Sequence, residues 1–308
     1  MGRYLARRLG QALVAMFGVA TLVFFVQRLT GDPTYLLVPE TATKADIDAL
    51  RHALGFDRPL LVQYLAFLAD LARFDLGRSV VQSVPVTTII ASRLPYTLAL
   101  AAGALVVSCG IGVPLGIALA VWRHRPVARV LGLFVLAAQS LPTFWTGILL
   151  IMLFAVKLGW LPSSSAGGLD HLVMPSVALG LLSMATFARI TRSSVLDELA
   201  KDYVRSARAR GARTRRLLSR HVARNAAIPL ITVAALEISN LLAGAVIVET
   251  VFAWPGLGQV TVQSILARDF LVVQGVVLLG SCVTVSLSLL ADLLYGLVDP
   301  RIRLGAAA

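Results

Sequence analysis

The sequence predicts an all-α protein that crosses a membrane six times. Of its 308 residues, 57% are hydrophobic and only 14% are charged, with a mean hydropathy of +0.82, whereas about a quarter of the residues in soluble proteins are charged. Several runs reach the roughly 20 apolar residues that are needed to span a bilayer. Lysine and arginine also concentrate in alternate loops between these runs. Together these features predict a polytopic membrane protein.

Six apolar segments are long enough to serve as membrane helices. The fifth contains Glu237 and the sixth contains Asp292, and such a segment can still span when its acid faces protein or water. In chain order, the predicted spans are Leu9–Gln27, part of Leu94–Trp122, part of Val130–Val156, about Leu172–Ala188, Asn225–Val248 and Phe270 to about Val298.

The first apolar run could instead belong to a cleavable signal peptide, because three arginines precede it. Its 19 uncharged residues exceed a typical signal core, however, and no small-residue cleavage site follows. We therefore expect this run to be a membrane helix.

Five prolines fall in, or near the starts of, four of the six predicted spans. Pro95, Pro175 and Pro229 are expected near the first turn of their helices, as start signals and not breaks, where the missing N–H costs nothing. Pro114 and Pro142 lie inside their segments and are expected to kink or interrupt them.

The long loop after the first span is predicted to contain short helices. In the segment Thr43–Phe56, Thr43 can cap a helix, Asp46 follows three residues later and Gly55 can end it. The segment Leu60–Phe74 has apolar residues at helical spacing. These helices could lie on the membrane surface or roof an outer cavity, and the sequence leaves both alternatives open.

The distribution of positive charge predicts the orientation in the membrane. Eleven basic residues lie in Arg189–Arg224 and three in Arg123–Arg129, whereas Lys157 and Arg268 stand alone in their loops. The loop Arg28–Arg93 carries seven basic and seven acidic residues. Because basic loops stay in the cytoplasm, both termini are predicted to be cytoplasmic in a multi-pass protein of the bacterial inner membrane.

The basic loop also has an ordered pattern of small residues. Val204, Ala207 and Gly211 follow i, i+3 and i+7 spacing, which puts them on one helical face. The surrounding arginines include Arg205, Arg208 and Arg210. We interpret the segment as a short helix that docks on a soluble partner. Contact with anionic lipid stays open, whereas nucleic-acid binding is disfavoured because no fold is visible to present the patch.

The same residues resemble a known family. The segment DYVRSARARGARTRRLLSRHVARNAAIPLI resembles the cytoplasmic coupling loop of ABC importer permeases of the dipeptide, oligopeptide and nickel branch. Residues 203–211 follow that branch's form, Tyr-Val-Arg-Thr-Ala-Arg-Ala-Lys-Gly, and depart from the general Glu-Ala-Ala form. Further resemblance covers nearly the whole chain, in RLTGDP, ALGFDRPLLVQYLAFLADLARFDLGRS, SLPTFWTGILLIMLFAVKLGWLPSS, VETVFAWPGLGQ and LLADLLYGLVDPRIRL.

The resemblance implies a type I ABC importer permease fold, of the B type with a long extracytoplasmic loop. It implies an N-terminal helix (about 9–28) and loop (about 29–94), a core of five helices (95–298) with a coupling loop at 189–224, and a cytoplasmic tail (299–308). The implied partners are a second, non-identical permease, two ATPase subunits, an extracytoplasmic substrate-binding protein and membrane lipid. The implied ATPase-coupling residues are Tyr203, Val204, Arg205, Ala207, Arg208 and Gly211.

No residue pattern indicates catalysis, a metal site or a cofactor. The GxxxxGK[ST] phosphate loop is absent, since the lysines are followed by Ala, Leu and Asp. None of the histidines pairs with another ligand at metal spacing. We therefore expect a non-catalytic subunit that relies on partners for ATP hydrolysis. The residues concerned are Lys44, Lys157 and Lys201, and His52, His124, His171 and His221.

Two further groups of residues are candidates for the transport path. Glu237, Asn240 and Gly244 share a helical face in the fifth span, as either a cavity wall or a structural helix contact. The motif WPGLG, which contains Trp254, Pro255 and Gly256, forms either an outer gate or a plain turn.

The expected cargo is a di- or oligopeptide. Nickel chelates, haem and glutathione are alternatives within the same family. A secondary transporter would need internal repeats and binding groups on broken helices, and no convincing repeat is present. A membrane-anchored scaffold or receptor is a further alternative, although it would not need proline-kinked spans.

Overall fold

The computed structural model describes residues 2–29, 43–53, 55–211, 217 and 222–298, and this part of the chain is almost entirely helical. The helices are α1 (Gly2–Leu29), α2 (Lys44–Ala53), α3 (Leu60–Ala72), α4 (Val86–Val121), α5 (Pro126–Ser140), α6 (Thr143–Leu150, continued by a π-helical segment Ile151–Lys157), α7 (Leu169–Leu199), α8 (Asp202–Ala209), α9 (Ala223–Val251), α10 (Leu257–Leu266) and α11 (Phe270–Val298).

The apolar helices agree with the predicted number of spans. Within the described residues, α1, α4, α7, α9 and α11 are each long and apolar enough to cross a membrane. The pair α5 and α6 passes the same test together, but the two helices are bent by 106°. Counted as one broken span, this pair brings the total to six.

The break in the third span lies at Pro142, as predicted. Helix α5 ends at Ser140, and Leu141 and Pro142 have extended backbone with ψ of 127° and 138°. A proline disfavours helical geometry in the residue before it, because its ring crowds that residue's backbone. Pro114 behaves differently, since α4 continues through it, so the interruption considered there does not occur.

The prediction that three prolines mark helix starts is wrong. Pro95, Pro175 and Pro229 lie inside α4, α7 and α9, which begin at Val86, Leu169 and Ala223. The predicted spans began at Leu94, Leu172 and Asn225, so hydropathy alone set the three helix starts eight, three and two residues too late. Neighbouring helices can satisfy the backbone carbonyl that each proline leaves without its donor.

The chain divides into two compact units. The first contains Tyr96–Gln259 and the C-terminal part of α11, and α7 forms its centre. In the most apolar window of α7, 61% of the residues are buried, compared with 33% for α4 and 24% for α9. The core contains side chains from α4, α7 and α9, among them Leu100, Met174 and Leu241.

Helices α4 and α7 approach so closely that glycine is required at the contact. A β-carbon placed on Gly112 would stand 2.6 Å from the carbonyl oxygen of Met184, and one on Gly116 would stand 2.5 Å from that of Ala188. Small residues allow such close packing between membrane helices. The outward faces keep large apolar side chains exposed, such as Val106 on α4, where lipid or other subunits can cover them.

The second unit contains Gly2–Pro95 and Val260–Ser286. Helix α1 packs on α3 through Phe24, whose ring stacks on Phe67 at 5.5 Å and meets Tyr64 at 5.2 Å. Thr21 and Tyr64 share a hydrogen bond of 2.6 Å. These contacts join the first span to the segment that follows it.

Both short helices predicted in the long loop are present. Helix α2 ends in a Schellman motif, in which Phe56 N–H donates to Arg51 O and Gly55 N–H donates to His52 O. Gly55 has a φ of +70°, which accounts for a glycine at the end of this helix. Helix α3 follows directly, from Leu60 to Ala72.

Candidate functional site

Helix α8 lies on the chain's own core through Val204 and Ala207. Val204 is 0% exposed and Ala207 is 9% exposed. Both belong to a buried cluster in the first unit, with Ala120, Val195, Leu217, Val222 and Ala226. These two members of the stripe are therefore covered from within the chain, whereas Gly211 is exposed. This finding corrects the expectation that these two side chains face a soluble partner.

A buried carboxylate holds α8 between the neighbouring membrane helices. Glu198, at the end of α7, is 8% exposed. It accepts hydrogen bonds from the Lys201 ammonium, from Tyr203 Oη at 2.6 Å and from Asn225 Nδ2 at 3.2 Å. Because Tyr203 belongs to α8 and Asn225 to α9, this one side chain links three helices. We call this set of four residues the Glu198 clamp.

Electrostatics maintain the clamp near neutral pH. The hydrogen bond to Glu198 raises the pKa of Lys201 above its ordinary value, so the lysine stays charged. Burial, and then the hydrogen bond to Glu198, raises the pKa of Tyr203, so the phenol stays protonated and remains a donor.

The opposite face of α8 is open. Arg205 has a side chain that is 73% exposed and makes only a long contact of 3.4 Å with the exposed Asp202. Ser206 and Arg210 are exposed as well. Of the predicted coupling residues, Tyr203 and Arg205 thus reach the surface, while the side chain of Arg208 lies outside the described part of the chain.

Gly211 follows α8 with a φ of +83°, and a β-carbon there would meet no atom within 4 Å. The left-handed backbone that ends the helix explains why position 211 is a glycine. A bulky residue at this position would be opposed by backbone strain and not by a crowded contact with the described residues.

The three residues predicted to share a helical face in the fifth span differ in their exposure to solvent. Glu237 is 9% exposed and accepts a hydrogen bond of 2.6 Å from Ser183 Oγ on α7. A β-carbon on Gly244 would stand 3.2 Å from Leu179 Cδ1. Asn240 is exposed. Glu237 and Gly244 therefore belong to the contact between α7 and α9, and Asn240 points away from it.

A second acid in the same helix was missed by the sequence reasoning. Glu249 is fully buried, and its Oε1 accepts a hydrogen bond of 2.6 Å from Thr97 Oγ1. Its Oε2 accepts from the backbone N–H groups of Gly258 at 2.6 Å and Gln259 at 3.1 Å. The N–H of Leu257 donates to Thr97 Oγ1 at 2.8 Å. The carboxylate therefore caps the start of α10, where unpaired N–H groups attract negative charge.

This cap explains the glycine in the predicted gate motif. A β-carbon on Gly256 would stand 2.1 Å from Glu249 Oε1. Trp254 is 4% exposed, and its Nε1 donates to the carbonyl oxygen of Tyr96 at 2.9 Å. Pro255 is half-buried between these two anchored positions. We call the segment 249–259 the α9–α10 corner.

A signal for Glu249 was available in the sequence. It is an acid in an apolar run, the feature that drew attention to Glu237, and glycines follow it at positions 256 and 258. Its partner Thr97 lies 152 residues earlier, and no local pattern joins the two.

Comparisons with known proteins agree over nearly the whole chain. Residues 112–304 match the family model described as "Binding-protein-dependent transport system inner membrane component", and residues 1–101 match that of its N-terminal region. A putative peptide transport system permease protein of Brucella abortus (strain 2308) is 38% identical, over 98% of this chain and 99% of the relative. The glutathione transport system permease protein GsiC of Escherichia coli O6:H1 (strain CFT073) is 40% identical, with the same coverage.

Solved structures support the fold alone. An inward-facing crystal structure of the MetNI methionine ABC transporter matches 69% of this chain and 97% of its own, with a TM-score of 0.57 and 19% identity. A second crystal form of that transporter gives a TM-score of 0.59 at 20% identity.

Proposed function

We propose that this chain imports di- or oligopeptides as a B-type subunit. It belongs to the family of binding-protein-dependent transport system inner membrane components and is an ABC importer permease of the peptide branch. Both relatives described above are permeases for peptides or for the tripeptide-like glutathione, and they match end to end. No comparable observation favours nickel chelates or haem. Family membership also decides against a secondary transporter and against a receptor.

The Glu198 clamp is the observation that carries the proposed mechanism. The exposed face of α8, with Tyr203, Arg205 and Arg210, docks on an ATPase subunit. Because Glu198 bonds to α8 and α9 from the end of α7, a displacement of α8 moves the ends of both membrane helices. ATP-driven closure of the ATPases then switches the path between outward and inward access.

Helices α7 and α9 would transmit this movement as a pair. The hydrogen bond between Ser183 and Glu237 and the packing of Leu179 against Gly244 tie the helices together in the membrane. Asn240, which points away from this contact, is our candidate for the wall of the translocation path. The α9–α10 corner, with Trp254, Pro255 and Gly256, is our candidate for the outer gate.

The remaining parts of the transporter follow from the family. We propose a second, non-identical permease, two ATPase subunits and an extracytoplasmic binding protein that delivers the peptide. The termini and α8 are cytoplasmic, and the segment 31–93 is external. The chain itself carries no ATP hydrolysis.

Reconstitution tests this proposal. The chain is purified with its co-expressed ATPases and second permease, placed in proteoliposomes, and supplied with the binding protein and a labelled dipeptide. Uptake that requires both ATP and the binding protein is expected. ATPase turnover without peptide uptake, together with uptake of a nickel chelate or haem under the same conditions, would contradict the proposed cargo.

A further inference from the structure

The second unit contains a cavity of about 680 Å³ at one end of its membrane helices, within the range of about 300–1,000 Å³ typical of small-molecule sites. Its lining includes the apolar side chains of Phe24 and Phe67 and the charged side chains of Arg58, Arg268 and Asp75. In total, four arginines and two aspartates line it. Neither the family nor the proposed transport cycle assigns it a role.

Two amide oxygens in the cavity lining accept no hydrogen bond from the described residues. Gln274 is 9% exposed, and its Oε1 is buried without a partner. Gln63 uses Nε2 to donate to the carbonyl oxygens of Phe56 at 3.1 Å and Arg58 at 2.7 Å, which fixes the orientation of its amide. Its Oε1 is likewise buried without a partner. Buried acceptors are nearly always paired, so each of these two oxygens is left to accept a hydrogen bond from a molecule in the cavity.

The cationic side of the lining is held in position by a hydrogen-bonded turn. Asp269 accepts hydrogen bonds from Ser79 Oγ and from the N–H of Val80 at 3.3 Å. Its own N–H donates to Ser264 O at 2.8 Å. These bonds fix the residues on either side of Asp269, namely Arg268 and Phe270, both of which line the cavity.

The cavity lies at the boundary between apolar and polar surroundings. The apolar span in α1 ends at Arg28, and that in α11 begins at Phe270. Phe24 and Arg28 from the first span line the cavity, together with Phe270 and Leu271 from the second. Lipid headgroups meet a membrane protein at this level.

We propose that the cavity binds the phosphoethanolamine headgroup of a membrane phospholipid. The guanidinium groups of Arg58 and Arg268 donate to the phosphate, and the ammonium group donates to the amide oxygens of Gln63 and Gln274. Asp75 balances the ammonium charge. A phosphocholine headgroup has no N–H to donate, and a phosphoglycerol headgroup has no cation to offer Asp75, so the lining selects ethanolamine.

The test compares two lipids that differ only in whether the headgroup nitrogen carries N–H groups. The assembled transporter is placed in nanodiscs that contain equal amounts of phosphatidylethanolamine and phosphatidylcholine with identical acyl chains. Native mass spectrometry then counts the lipids that stay bound. We expect the wild type to retain phosphatidylethanolamine about fivefold over phosphatidylcholine, the ratio that one net hydrogen bond supplies.

Matched variants assign the retained lipid to this cavity. Gln274→Met and Arg58→Gln should each lower phosphatidylethanolamine retention about fivefold. Gln263→Met and Arg73→Gln, at exposed positions outside the cavity lining, should leave retention unchanged. Arg58 is itself exposed, so its replacement tests the site without disturbing the core.

Equal retention of the two lipids by the wild type would overturn the proposal. So would unchanged retention in Arg58→Gln, or displacement of the bound lipid by a soluble zwitterionic dipeptide, which would identify a peptide as the occupant.

Discussion

The carboxylate of Glu249 fills the space in which a side chain on Gly256 would begin. A β-carbon on Gly256 would stand 2.1 Å from Oε1 and 2.2 Å from Cδ of Glu249. The glycine and the acid therefore depend on each other: the buried carboxylate can cap α10 only where the residue at 256 has no side chain. This pair fixes the α9–α10 corner, our candidate for the outer gate.

Gly256→Ala should destabilise the protein by roughly 1–3 kcal/mol, because the added methyl group overfills a packed site. Its thermal unfolding midpoint in detergent, measured by far-UV circular dichroism, should fall by several degrees. Gly110→Ala is the control, since a β-carbon on Gly110 meets nothing within 4 Å. An equal midpoint for the two variants would contradict the crowding at Gly256.

Thr97→Val should also destabilise the protein, by about 1–3 kcal/mol, because it keeps the side-chain shape but removes the hydroxyl that donates to the buried Glu249 Oε1 and accepts from Leu257 N–H. The same unfolding measurement checks this. Thr250→Val is the control, since Thr250 is exposed and its hydroxyl bonds only to its own helix. A wild-type midpoint for Thr97→Val would mean that the network does not exist.

Glu198→Ala should uncouple the transporter. With Glu198 removed, α8 loses the hydrogen bond from Tyr203 to the end of α7, so ATPase activity should persist while peptide uptake falls at least about tenfold. Both rates are measured in the same proteoliposomes. Asp197→Ala, a change to the exposed acid next in sequence, should preserve both activities. Parallel loss of ATPase activity and uptake would indicate failed docking, and undiminished uptake would remove the clamp from the mechanism.

Coupling through the clamp should not depend on pH between about 6 and 9. The pKa of Lys201 is raised in the folded protein. The stabilisation that its ammonium gives the clamp is therefore fully present below the ordinary pKa of lysine, about 10.4, and is lost only as the pH rises through the raised pKa. The ratio of uptake to ATP hydrolysis should therefore be flat across this range. A decline of that ratio with a midpoint near pH 7 would be inconsistent with a Glu198–Lys201 link.

Glu237→Gln separates the two roles of the buried acid in the fifth span. The glutamine side-chain oxygen can still accept the hydrogen bond from Ser183, so assembly and basal ATPase activity should survive. If the carboxylate also acts on cargo, uptake of peptides with a free α-ammonium group should fall relative to N-acetylated peptides. Identical uptake of both peptides over the full concentration range would limit Glu237 to the helix contact.

Sequence patterns predicted the features that depend on local chemistry. The number of spans follows from apolar run length, the break at Pro142 from proline geometry, and the end of α2 from Gly55. Each depends on residues within one or two turns of one another. The same reasoning set three helix starts too late, because polar first turns extend these helices beyond their apolar cores.

Features that depend on distant contacts were not predicted. The stripe of Val204, Ala207 and Gly211 was predicted to meet a soluble partner, but periodicity does not say whether such a face meets this chain or another. The cap by Glu249 requires Thr97 from another helix. Glu198 accepts hydrogen bonds from both Tyr203 and Asn225, and these come from different helices.

The central claim is that α8 presents Arg205 and Ser206 to the ATPase and turns Val204 and Ala207 inward. Single cysteines at these four positions, with Cys109 and Cys282 replaced by alanine, are labelled with a membrane-impermeant maleimide in inside-out vesicles. We predict rapid labelling at 205 and 206, protection of both when the ATPase is bound, and slow labelling at 204 and 207 in either state. Rapid, ATPase-protected labelling at 204 and 207, or labelling of 205 only from the opposite side of the membrane, would contradict the account.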